Sequence, residues 1–241
     1  MSRGFTLVEL LLAMTFISTL LLVIAMTIVQ IANTYNRGMI LKEVNQTARS
    51  LTEELDRAVS ASSDFSTDAA AQRYVSRPWG GRICLGQNSY IWNYGSALST
   101  QNSNRNMYSS INTAGNVVTE GGTTRSEIGF VKVIDPAGSY CIPNGSGAYP
   151  AVNPVNATEL LRSGDHTLAI HAFTITSTAT AKDALSAQAL YKVSYVLGTS
   201  NMDALTNDQT ACKAPSEQGS DLNYCSIQQF TIVLRAVSGV N

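Results

Sequence analysis

Apolar residues are very unevenly placed along this chain. From Leu10 to Val29 no residue carries a charge. At 1.5 Å per residue, a helix over that run is roughly 30 Å long, the thickness of a bilayer's hydrocarbon core. Beyond it the pattern changes to a stripe. Leu41, Val44, Ala48, Leu51, Leu55 and Ala58 recur at intervals of three and four, which predicts a helix with one buried face. That face is expected to pack on the protein's own head rather than form a coiled-coil seam. Arg49 with Glu53, and Glu53 with Arg57, stand four apart on the solvated side. Gly38 costs roughly 1 kcal/mol in a helix interior relative to alanine, and is expected to mark a flexible point between the two halves. The Ser60–Asp64 cluster closes the pattern.

Later segments alternate as strands do. Their Val, Ile, Thr, Tyr and Phe content predicts strands at Tyr90–Tyr94, Glu127–Ile134, Thr167–Thr176, Leu190–Leu197 and Ile227–Val237. Tyr191, Val193, Tyr195 and Leu197 share one face. The fold class is therefore α+β: a long N-terminal helix, membrane half plus amphipathic half, packed on an antiparallel sheet with short meander connections. Polar loops rich in Gly, Asn and Ser are expected around Gln101–Gly122 and Pro143–Pro154.

The start of the chain, Met1-Ser2-Arg3-Gly4-Phe5-Thr6-Leu7-Val8-Glu9-Leu10, does not read as a secretory signal peptide. The apolar run is too long, and no A-x-A-like site closes it. The small residue, Gly4, precedes the run, so a cut there leaves the apolar helix on the mature chain. Glu9 is the second anomaly, because a carboxylate in a membrane helix calls for a partner. A chain beginning at Phe5 has a new α-amine one helical turn away. The same amine on a neighbouring subunit could neutralise Glu9 and set the axial register of packed helices. The plainer alternative is a carboxylate snorkelling at a helix start, where the dipole favours anions.

A short basic leader, Gly4, then Phe5-Thr6-Leu7-Val8-Glu9 and a long apolar run closely resembles the class III signal of type IV pilins and type II secretion pseudopilins. The strict resemblance covers residues 3–10, supported by the apolar run to Ala32. It implies cleavage after Gly4 by a prepilin peptidase, methylation of the Phe5 amine, and Glu9 as the assembly carboxylate. It also implies a pilin-like fold with a leader at 1–4, a transmembrane and assembly helix at 5–32, an amphipathic helix at 33–64 and a β-rich head at 65–241. The implied partners are other pilin subunits, the peptidase, an inner-membrane assembly platform, and membrane lipid before assembly. The precursor would sit in the inner membrane and the assembled subunit in a cell-surface filament. The strand Phe230–Arg235 is similar to that of PilW-type minor pilins and J-type pseudopilins, which favours a minor pilin. The alternatives are a type II secretion pseudopilin, a major pilin or, outside the family, a membrane-anchored adhesin or exported enzyme.

Composition adds the compartment. The 241 residues carry a net charge of −1, so nothing global points to nucleic acid. Arg3 lies on one side of the apolar run, with Arg37 and Lys42 on the other, so the positive-inside count does not orient it. Cys84, Cys141, Cys212 and Cys225 contain no C-x-x-C pair, which argues against a zinc knuckle or a thioredoxin-like site. After a membrane-targeting segment, an even count reads as disulfides in an oxidising compartment; the alternative is free buried thiols in the cytosol. Four cysteines allow three connectivities. The short loop-like span between Cys212 and Cys225 favours that pair, and Cys84–Cys141 follows by elimination.

Candidate chemistry is sparse. No G-x-S-x-G, S-x-x-K, Walker loop or H-E-x-x-H occurs, so a structural subunit without catalytic activity, cofactor or metal is expected. His166 and His171, five apart on an expected strand, should face opposite sides. Asp203, Asp208 and Asp221 match no EF-hand spacing and read as solvated loop carboxylates. Arg73, Tyr74, Arg77, Trp79 and Arg82 form a basic and aromatic cluster of the kind single-strand binders use. Some members of the pilin family bind DNA. Packing and salt-bridge contacts at a helix-to-sheet junction are the reading favoured for these residues.

Overall fold

The computed structural model of the chain describes residues 6–67, 73–78, 80–99, 110–111, 117–118, 129–143, 145, 149–150, 152, 157–161, 167–177 and 189–236. One helix, α1, runs unbroken from Leu7 to Ser60 over 54 residues. No proline interrupts it, and in its first half the hydroxyls of Thr15, Ser18, Thr19, Thr27 and Thr34 close back on its own carbonyls. It passes straight through Gly38, where an added Cβ would meet nothing within 4 Å, so the expected division at this glycine is not a break in the helix.

Two antiparallel sheets follow. The first takes the order β1-β2-β3-β6-β7, from β1 (Tyr74–Arg77), β2 (Gly80–Leu85), β3 (Asn88–Asn93), β6 (Phe130–Ile134) and β7 (Ala157–Glu159). The second takes the order β10-β9-β8, from β8 (Leu168–Ser177), β9 (Ala189–Thr199) and β10 (Ile227–Ala236). A short helix α2 (Gly95–Ser99) and a small ladder of β4 (Ser110–Ile111) with β5 (Val117–Val118) complete the described elements. The head is thus α+β with two antiparallel sheets where one was expected. They meet at an isolated parallel bridge between Tyr94 and Ile170.

The last three expected strands are found within one or two residues of their predicted limits, because one face of each is buried. In β9, Tyr191, Val193, Tyr195 and Leu197 are all fully buried. The start of the Glu127–Ile134 strand and most of the Gln101–Gly122 and Pro143–Pro154 loops lie outside the described residues. An aromatic chain joins the sheets: Trp92 stands 4.5 Å from Phe173 and 5.5 Å from Phe130, and Tyr195 stands 5.3 Å from Phe230. Ring pairs at these separations favour tilted or offset contacts.

The second half of α1 covers this core with Ile40, Val44, Ala48, Leu51, Leu55, Ala58 and Val59. The stripe begins at Ile40 and not at Leu41, which is 42% exposed. Four residues back from Val44 falls about 40° off the buried meridian, whereas three residues back falls about 60° off it on the other side.

Candidate functional site

The start of α1 is built by Thr6. Its side chain accepts from the Glu9 N–H at 3.3 Å, while the Glu9 carboxylate accepts from the Thr6 N–H at 2.9 Å and its hydroxyl at 2.8 Å. This reciprocal capping box satisfies otherwise unpaired donors of the first turn and explains why the helix begins here. The T-x-x-E spacing before an apolar run was a readable signal that Glu9 also caps its own helix. Both bonds to Glu9 reach Oε2. Gly4 and Phe5 lie outside the described residues.

From Leu7 to Ile31 the large apolar side chains are exposed, Leu12 at 68% and Phe16 at 66%. This half is long and apolar enough to cross a membrane. Its polar groups are handled internally. Thr15, Ser18, Thr19, Thr27 and Thr34 donate to carbonyls three or four residues back, at 2.8–2.9 Å. A helix that satisfies its own hydroxyls needs no water along its sides.

The second half is fastened to the head by tyrosine hydroxyls in ascending order. Asn36 donates to Tyr224 at 3.0 Å. Tyr195 donates to the Ala48 carbonyl at 2.9 Å and lies 2.8 Å from the Thr52 hydroxyl. Tyr90 donates to Glu54 at 2.7 Å. Past the helix end, Tyr191 lies 2.6 Å from Asp64 and stacks on Phe65 with ring centroids 4.1 Å apart. Buried tyrosines need such partners, so Tyr191 and Tyr195 on a buried strand face already signalled a polar contact beneath the helix. Burial, helped by Asp64, pushes the Tyr191 hydroxyl up to about 12, so it remains a donor at neutral pH.

Glu54 is the ionic centre of this junction. It accepts from Lys132 at 2.6 Å and from Arg57 at 3.2 Å. Arg57 pairs with Glu54 and not with the expected Glu53. Burial pushes the Glu54 carboxyl up, but the hydrogen bonds from Lys132 and Tyr90, with the charges of Lys132 and Arg57, outweigh it and hold the pKa below its ordinary value.

Two disulfides are present, Cys84–Cys141 and Cys212–Cys225, with Cα separations of 6.2 and 6.0 Å. They mark opposite ends of the head. The first ties β2 to a short turn at Ser139–Cys141, beside Gly86, which approaches the Ala61 carbonyl beyond the end of α1. Asp135 organises this turn by accepting from the Ser139 and Tyr140 N–H groups, both at 3.0 Å, and from Ser89 at 2.7 Å. The second closes the loop that reaches α1 at Asn36 through Tyr224.

The β1–β2 register sets Val75 opposite Arg82, so the arginines at 73, 77 and 82 are neighbours, but burial divides them. Arg82 is only 2% exposed. Its Nη1 donates to the Tyr140 and Pro150 carbonyls at 3.0 and 2.7 Å, and its guanidinium lies 5.4 Å from the Tyr149 ring centre. Burial lowers its pKa to about 10, leaving it charged at neutral pH. Arg82 therefore serves as a packing residue. Arg73 is exposed and Arg77 half-buried, while Trp79 lies outside the described residues.

His171 is the extra residue of a bulge in β8, with Nε2 3.0 Å from the Thr199 carbonyl and Nδ1 3.3 Å from Gln209. His166 lies outside the described residues. Asp208 accepts from the hydroxyls of Thr206 and Thr210 at 2.6 and 2.8 Å. Among the described residues, no three His, Cys, Asp or Glu side chains converge as a metal site would require. Comparison with family models, with curated proteins and with solved structures finds no match for this chain.

Proposed function

We propose that the chain is a pilin-like structural subunit, anchored in the membrane as a precursor and assembled through its N-terminal helix into an extracytoplasmic filament, as a minor pilin of a type IV pilus. One observation supports this above the others. An apolar half-helix, uncharged from Leu10 to Val29, stands clear of a disulfide-bonded head, and it begins in a Thr6–Glu9 box directly after Gly4 and Phe5. The expected chemistry is cleavage after Gly4 by a prepilin peptidase, followed by methylation of the Phe5 amine. The protein is a substrate in that reaction and not a catalyst.

Glu9 then acts in assembly. With two donors already on Oε2, Oε1 has no donor among the described residues and can receive the Phe5 amine of a neighbouring subunit. Removing one member of such a desolvated pair leaves the other unpaired, at a cost of several kcal/mol. The test is intact mass from membranes with active peptidase, together with the filament-to-membrane ratio of Glu9→Ala. A Phe5 terminus and a collapsed ratio are expected. A chain that retains Met1–Gly4 would point to an uncleaved anchor instead, and an unchanged ratio with correct processing would remove the role of Glu9.

A further inference from the structure

We infer that the Cys212–Cys225 loop is a membrane-surface foot, resting Tyr224 in the phospholipid headgroup layer beside the point where α1 leaves the bilayer. This rests on the membrane-spanning reading of α1 and not on its place in a filament.

Height along the helix comes first. Asn36 lies seven residues beyond Val29 and four beyond Ala32. At 1.5 Å per residue it stands between about 6 and 10 Å outside the hydrocarbon edge, at the level of the headgroups. Its side-chain amide is the one that meets Tyr224, at 3.0 Å. The other tyrosine contacts lie further up, at Ala48, Thr52, Glu54 and Asp64. The loop is therefore the part of the head bonded to α1 at headgroup height.

Chemistry comes second. Tyr224 is 46% exposed and Tyr35, next to Asn36, is 65% exposed. Tyrosines at this depth place an apolar ring and a polar hydroxyl in the two environments that the interface offers. The loop is also held firmly. Cys225 is buried with Ala204 and Leu205, a bridge joins Leu205 to Cys212, and the Tyr224 N–H donates to Asp221 at 3.3 Å. A ring on so rigid a base loses little freedom when it meets the surface. The contact fixes the depth and rotation of the head about α1, and leaving the bilayer breaks it.

The experiment uses the full chain in phosphatidylcholine vesicles doped with a phospholipid that carries a photoactivatable diazirine at headgroup level. Peptide mapping after illumination is expected to place adducts on residues 34–37 and 222–225, and none at Ile134, an exposed position at the far end of the head. Adducts on the helix but none on 222–225 would overturn the foot and leave membrane anchoring intact. No adduct on the helix or on the loop would overturn the anchoring itself. As a second measurement, Tyr224→Trp and Ile134→Trp are compared with the parent in lipid brominated high on the acyl chain. Quenching about twofold greater at position 224 than at position 134 is expected for an interfacial ring. Equal quenching would overturn the proposal.

Discussion

The two halves of α1 share one backbone and one unbroken hydrogen-bond ladder, yet they meet opposite surroundings. Before Asn36 the helix shows leucine, isoleucine, valine and methionine on every side and buries none of them. From Ile40 onward it buries one face and turns Lys42, Arg49 and Glu53 outward. Helix propensity does not separate the halves, since both are rich in strong helix formers. What separates them is where charge is tolerated. The upper half divides its surface between head and water, whereas the lower half carries no charge from Leu10 to Val29, and the hydroxyls of that run are closed on its own carbonyls. One half is long and apolar enough to cross a membrane, and the other is built to lie on the head.

The largest way to break this division is to cut it. Residues 34–241 should form a soluble, oxidised head, while the full chain partitions into membranes. The outcome is close to all-or-none, because some twenty exposed apolar side chains go with the removed segment. Fractionation under oxidising expression conditions checks it. A truncated head that still aggregates would place part of the lower helix in the core.

Next come matched substitutions in the two halves. Leu55→Ala, at a fully buried position, should destabilise the head by about 2–5 kcal/mol. Leu21→Ala, at a position 59% exposed, should leave head unfolding unchanged. Denaturant titration of both full chains in one detergent, followed by near-ultraviolet circular dichroism, makes the comparison. Equal losses would mean that the lower half also packs within the protein.

A smaller effect tests the tyrosine ladder. Tyr195→Phe keeps the ring in the core but removes the hydroxyl that meets the Ala48 carbonyl and Thr52. A loss of about 1 kcal/mol is expected, the usual net worth of a buried hydrogen bond. The same unfolding measurement reads it. A neutral result would mean that water replaces the hydroxyl and that the ladder is packing alone.

Much of this contrast could be read from residue order, and the exceptions share a cause. The apolar run, the alternation of β8 to β10 and the Cys212–Cys225 pair were visible because each depends on local pattern or short spacing, and Cys84–Cys141 followed only by elimination. Strand β2 was missed because Gly80 to Leu85 is buried on both faces and shows no alternation. Its glycines are there because Trp92 lies against them, a fact of tertiary structure. Arg82 was expected in a packing role, but its partners, the Tyr140 and Pro150 carbonyls, come from distant segments that spacing cannot name. Helix spacing alone favours Glu53, four residues from both Arg49 and Arg57; Lys132 and Tyr90, from β6 and β3, bring the charge to Glu54 instead. At the candidate site, the Thr6–Glu9 box was written in plain spacing, but the position of Tyr224 beside Asn36 joins residues 188 apart in sequence.

The smallest expected effect sharpens the comparison through pH. The lower half of the helix has no titratable side chain between Leu10 and Val29, so acid cannot act on that run directly. The upper half carries Glu54, whose carboxyl is held below its ordinary value by Lys132, Tyr90 and Arg57 despite burial. A carboxylate depressed on folding adds stability that is complete above its unfolded value, about 4.3, and is lost as pH falls through the lower folded value. Asp135 acts in the same direction: burial raises its carboxyl, but bonds from Tyr140, Ser89 and Ser139 prevail and lower it. His171 is held low by burial, against its bonds to Gln209 and Thr199, so its neutral form favours the fold and stability begins to fall as pH drops below about 6.5. The parent head should therefore weaken gently below that point and more steeply below about pH 4.5. Glu54→Gln separates the contributions, because Asp135 and His171 remain in both proteins. The variant should be less stable at pH 7 and show a shallower acid limb, so that the two unfolding curves converge in acid. Unfolding free energy measured from pH 7 to pH 3 decides the point. Parallel limbs would mean that Lys132 and Arg57 are drawn to Glu54 without adding to stability, and that packing alone holds the upper half of α1 to the head.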